Sequence, residues 1–122
     1  MAVDAWFRVA AVRYRRTYSQ KYDENFIAVD LELKGGSGCP KVLYRPDNPK
    51  SIGFWRRYME LILGDAYDDY RGREDDLNKL EAEWHRWPVP KRVKLRTSRK
   101  HSFTGMEHLN IMDIDMEGKI DG

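Results

Sequence analysis

The sequence predicts a mainly β domain of the α+β class, with five strands and a helical segment between the third and the fourth. Three observations point there. Apolar and polar residues alternate over several short stretches, which is the period of a strand with one face buried. The segment 51–87 spaces its apolar residues by three and four instead, which is the period of a helix. The 122 residues, 41% hydrophobic and 12% aromatic, suit a single domain over 1–122 that buries one modest core.

The first strand is expected from Ala5 to about Thr17. Phe7 and Val9 share one parity and Val12 and Tyr14 the other. A strand alternates strictly, so the switch implies a β-bulge or bend near Ala10 and Ala11. Arg8, Arg13 and Arg15 then fall opposite the apolar residues. Such a long, bent strand can serve two sheets at a barrel corner. Ser19 to Asn25 is polar and reads as a loop. Phe26 to Lys34 alternates most cleanly, with Ile27, Val29, Leu31 and Leu33 on one face. A glycine-rich turn, Gly35 to Pro40, leads to a short third strand at Lys41 to Arg45.

Ser51 is the expected N-cap of the first helix, which carries Phe54, Trp55, Tyr58, Met59, Leu61 and Ile62 and stops at Gly64. An acidic, tyrosine-bearing connector, Asp65 to Gly72, follows. The second helix places Leu77, Leu80, Trp84 and Trp87 on one stripe, read as core, and ends at Pro88 and Pro90. Lys91 to Ser98 alternates as a fourth strand. After a loop at Arg99 to Gly105, Met106 to Met116 makes a fifth, with a second parity switch between Ile111 and Met112. The order β-β-β-α(α)-β-β is that of an OB-like five-stranded barrel, with the helical insertion at about 51–87.

Charge is uneven. The chain carries a formal +2, yet Glu60 to Trp84 holds nine acidic and three basic residues. Two basic arms flank that acidic middle, at Arg8 to Arg45 and at Lys91 to Lys100. No apolar run approaches the roughly 18 residues a membrane helix needs. The opening Met-Ala-Val-Asp-Ala-Trp lacks the pattern of a signal peptide, and a single cysteine, Cys39, rules out an internal disulfide. A cytoplasmic location without membrane contact is therefore the expectation.

Basic and aromatic residues interleave in Arg13-Tyr14-Arg15-Arg16-Thr17-Tyr18, and the loop after it adds Lys21 and Tyr22. Cations track phosphates and aromatic faces stack on bases, so this pattern suits single-stranded nucleic acid. The candidate binding residues are Arg13, Arg15, Arg16, Tyr18, Lys21, Tyr22, Phe26 and Lys34 from the first arm. The second arm supplies Arg92, Lys94, Arg96, Arg99, Lys100 and Phe103. In an OB barrel the loops between strands one and two and between strands four and five flank the groove. Asp30 and Glu32 share a face with Phe26 and Lys34 and oppose phosphate. No residue pattern selects a base, so weak sequence preference is expected.

The β-meander with its polar first loop leads to a helix closed by Leu63-Gly64, and a basic strand with a hairpin, Lys91 to Met116, completes the chain. In this layout the chain resembles the small OB-fold single-stranded DNA-binding proteins encoded by phages and mobile elements. It differs from them in its second helix and in lacking a long acidic tail. The resemblance implies binding of single-stranded DNA, or RNA, during replication or recombination. Partners there would be replication or recombination proteins, in the host cytoplasm, with no cofactor.

Two other functions have some support. The acidic helical stretch suits a small protein-binding inhibitor or assembly factor. Glu32-Leu33-Lys34 looks like half of a PD-(D/E)xK nuclease motif, in which carboxylates hold a metal and the lysine orients water, with Asp23 as the nearest further carboxylate. The half-motif is also ordinary strand alternation, so no residue is assigned as catalytic or metal-binding. His85, His101 and His108 show no metal-ligand spacing.

Overall fold

The computed structural model describes residues 3–36, 38–98 and 108–118. Five strands form one antiparallel sheet: β1 (Val3–Ser19), β2 (Glu24–Leu33), β3 (Lys41–Tyr44), β4 (Arg92–Ser98) and β5 (His108–Asp115). Helices α1 (Pro49–Leu63) and α2 (Leu77–Glu83) lie between β3 and β4 in the chain, each followed by a 3-10 segment. The spatial order is β3-β2-β1-β4-β5. The predicted mainly β, α+β class and element order are therefore observed. The outer strands β3 and β5 come within 8 Å of one another between Cα atoms, but no ladder joins them and the sheet is not closed.

β1 serves both halves of the sheet. Val3 to Arg8 pair with β4, and Val9 to Ser19 pair with β2. The changeover falls at the expected bulge, where the register with β2 shifts between Val9 and Ala11. An extra residue there bends the strand and restores apolar side chains to the core face. Phe7 and Val9 before the bulge, and Val12 and Tyr14 after it, all pack on the core. The second parity switch is a bulge too, because Lys94 pairs with Asp113 and Leu95 with Ile111, leaving Met112 over.

The core lies between one face of the sheet and the helices. Ile27, Val29 and Leu31 of β2, Val42 of β3 and Val93 of β4 meet Trp55, Tyr58 and Met59 of α1 there. The tryptophan stripe is core as expected. Trp84 stacks on Tyr14 at 5.7 Å between ring centroids, and Trp87 meets Tyr14 edge-on at 5.1 Å. The Tyr14 and Tyr58 hydroxyls share a 2.6 Å hydrogen bond, and burial pushes both phenols up.

The helical layer departs from the sequence reading at its start. The N-cap of α1 is Asn48, three residues before Ser51, and its Oδ1 accepts from the amides of Lys50 and Ser51 at 3.1 and 2.9 Å. Pro49 takes the first helical position, where a missing N–H costs nothing. Ser51 Oγ instead accepts from the Arg45 amide at 2.7 Å and ties the helix to the end of β3. The connector after α1 is a 3-10 segment, Gly64–Tyr70, that buries Tyr67 and Tyr70.

Glu74 anchors this layer. Its carboxylate accepts from the Tyr67 hydroxyl and lies 3.6 Å from Arg56 Nε, and its carbonyl accepts from Trp55 Nε1 at 2.9 Å. Burial pushes the Glu74 carboxyl up, but the hydrogen bonds from Tyr67 and from backbone amides, together with Arg56, hold it below the ordinary 4.5. The same burial and the facing carboxylate push Tyr67 up to about 12.

Two predictions follow from these contacts. Asn48→Ala removes a helix cap and should destabilise the fold by about 1 kcal/mol in urea unfolding. Glu74 is held lower in the folded chain than in the unfolded one, so its contribution is present above pH 4.5 and lost as pH falls through the folded value. Glu74→Gln should therefore be less stable at pH 7 and show a shallower loss of stability between pH 6 and 3, read from urea midpoints.

Candidate functional site

Strand alternation and pairing set the two faces of the sheet. One face packs against the helices. The other carries most of the charged side chains of the strands. On β1 this outer face runs Asp4, Trp6, Arg8, then after the bulge Arg13, Arg15 and Thr17. From Trp6 to Thr17 it spans roughly 35 Å at about 3.3 Å per residue. On β4 it holds Arg92, Lys94 and Arg96, whose register partners on β1 are Arg8, Trp6 and Asp4. The two basic arms of the sequence therefore meet as neighbouring strands on one face.

The charges there fall into two sets. Some are neutralised at short range. Arg15 Nε donates to Asp30 at 2.7 Å, and Arg96 Nε donates to Asp4 at 2.7 Å with a second bond at 2.9 Å. The hydrogen bond to Arg96 holds the Asp4 carboxyl below its usual range, and that to Asp30 raises Arg15 further. Arg8, Arg13, Arg92 and Lys94 form no ion pair among the described residues. Lys94 Nζ lies 6.0 Å from the centre of the Trp6 ring. Carboxylates border this strip, with Asp30 and Glu32 on β2 and Asp113 and Asp115 opposite Lys94 and Arg92 on β5.

A second group closes the far end of β1. The Tyr22 and Phe26 rings stack at 6.1 Å and 24°. The Arg45 guanidinium lies 4.6 Å from the Tyr22 ring centre and 5.5 Å from that of Phe26, while Nε donates to Glu24 at 2.5 Å. Lys21 Nζ is 5.3 Å from the Tyr22 ring. Tyr22 is 50% exposed and Tyr18 56%, so both offer ring surface to solvent. The Tyr18 hydroxyl donates to Asp23, which raises its phenol.

Of the candidates, Arg13, Arg15, Arg92, Lys94 and Arg96 share the outer face, and Lys21, Tyr22 and Phe26 lie at its end. Lys34 follows Leu33, the register partner of Val9, and so sits at the bend of β1. Arg16 is drawn to the helical side, where Nη1 donates to Glu81 of α2 at 2.9 Å and to Asn78 at 3.4 Å. Arg99, Lys100, Phe103 and His101, with the whole loop expected at Arg99 to Gly105, lie outside the described residues. Trp6 and Arg45 were not singled out in the sequence. Trp6 shares the parity of Arg8, which marks its face, but Arg45 joins the rings only through the β2–β3 pairing.

The remaining features have plain placements. Asp23 stands in the β1–β2 turn, roughly 30 Å of strand from Glu32. No group of three or more metal-binding side chains occurs among the described residues. No helix among them is long and apolar enough to cross a membrane. The acidic segment is partly self-neutralised, through Asp68 with Arg71 and Glu83 with Lys79. No family model, curated protein or solved structure matches the chain.

Proposed function

We propose that this chain binds single-stranded nucleic acid, with little sequence preference, on the outer face of its sheet. One observation carries the reading: Arg8 and Arg92 are direct register partners with Arg13 and Lys94 on the same face, and none of the four is ion-paired among the described residues. Like charges directly opposite one another destabilise a sheet. A polyanion laid along β1 and β4 relieves that repulsion. Trp6, Tyr22 and Phe26 add ring faces at both ends of the strip, and stacked bases are tolerant of sequence.

The narrow strip favours one strand over a duplex, since a second backbone would meet the carboxylates of Glu32 on β2 and Asp113 on β5. We also read the sheet as an OB-like barrel with an unladdered seam, a reading supported by the bent β1, the strand order and the close approach of β3 to β5. The role that goes with this reading is in DNA replication or recombination in a cytoplasm.

Fluorescence anisotropy with a labelled oligo-dT tests the proposal. Affinity should fall steeply with salt, since each phosphate contact contributes about −0.7 to the slope of log K against log salt for a single strand. Arg92→Ala and Arg13→Ala should each flatten that slope, whereas Arg16→Ala should leave it unchanged. Tyr22→Ala should weaken binding by about 1 kcal/mol or more. Absence of binding at low salt, or binding indifferent to salt, would remove the proposal.

A further inference from the structure

Only residues 3–8 of β1 have β4 beside them. Beyond Arg8 that edge of β1 has no strand partner among the described residues, and the chain leading into β4 passes alongside instead, with the Lys91 carbonyl accepting from the Val9 amide at 3.0 Å. Between the two lies a cleft of about 290 Å³, lined by Val12, Arg13, Trp84, His85, Trp87 and Val89 among others. This volume is at the small end of the roughly 300–1,000 Å³ of ligand clefts, so it suits one planar ring system.

The lining has two characters. Val12, Val89 and the two indoles are apolar, and Val89 is left 45% exposed. Arg13 is a cation with no carboxylate partner among the described residues, and it belongs to the outer-face strip as well. Along the unladdered edge, alternate residues of β1 present backbone N–H and C=O groups without strand partners. Apolar walls, edge donors and acceptors, and one cation match the three parts of a nucleotide.

The geometry points to this cleft as a subsite for a single nucleotide of the bound strand, with its base against Val89 and Trp84 and its phosphate on Arg13. The inference rests on the proposed binding of single-stranded nucleic acid and adds where one base leaves the strip. The Arg13 side chain stands at the junction, so the strand need not break its phosphate track to insert a base.

The test uses two measurements on the whole chain. Titration of wild type with dTMP should shift the indole N–H signals of Trp84 and Trp87 in ¹H–¹⁵N spectra and spare that of Trp55. Val89→Glu sets a carboxylate in the cleft that Arg13 also lines, at a position left 45% exposed. It should weaken dT12 binding about fivefold or more, with an unchanged circular dichroism spectrum. If dT12 binds wild type and Val89→Glu alike and the two indole signals stay still, the subsite is overturned while binding on the strip stands. If wild type binds no dT12 at low salt, the strip and the subsite fall together.

Discussion

The bulge in β1 is the constraint on which the rest of the molecule depends. One strand must pair with β4 over its first six residues and with β2 over its last eleven, while keeping apolar side chains inward throughout. Strict alternation cannot do that across a sharp bend. One surplus residue at Ala10 resets the parity, so that Val9 and Val12 both face the core. The same reset keeps Arg8 and Arg13 on the opposite face. Core and charged strip are thus two outcomes of one irregularity, and neither survives a register slip.

The helical layer completes this arrangement by covering what the split strand leaves open. Past Arg8, β1 has no strand partner on its β4 side among the described residues, and α2 with the segment after it brings Trp84 and Trp87 there. Their rings meet Tyr14, which touches Tyr58 and through it the body of α1. The Trp87 indole donates to the Tyr70 hydroxyl at 3.1 Å, and Tyr70 donates to Glu83 at 2.7 Å. Polar atoms within this aromatic layer are therefore satisfied, and no buried side-chain N or O lacks a partner among the described residues. A satisfied network of this kind gives a unique arrangement where a greasy one would not.

The strands were legible because their signal is local. Phe26 to Lys34 alternates without a fault, the parity break near Ala10 marks a bulge or bend, and the second parity switch falls where β5 bulges at Met112. The tryptophan stripe was legible as core for the same reason. Local signals were weaker where two devices compete for one helix start. Ser51 has the right chemistry for a cap, but Asn48 followed by Pro49 takes that place and frees Ser51 to hold Arg45. The candidate site was legible in its residue types and partly in its faces. Parity alone put Arg13 and Arg15 opposite the core, but not Arg16, whose helical partners Glu81 and Asn78 are more than sixty residues away. No sequence pattern could show Arg8 opposite Arg92, since that depends on the pairing of β1 with β4.

The distribution of indoles has a spectroscopic consequence. Trp55 is sealed, and Trp84 and Trp87 are nearly so, all within one connected aromatic layer between helices and sheet. Trp6 alone stands on the outer face, near Lys94. Three of the four indoles of the folded chain therefore sense separation of the helical layer, while the fourth reports on the surface beside β4. A Trp6→Phe protein would leave intrinsic fluorescence to the three indoles of that layer, without the one that stands on the strip.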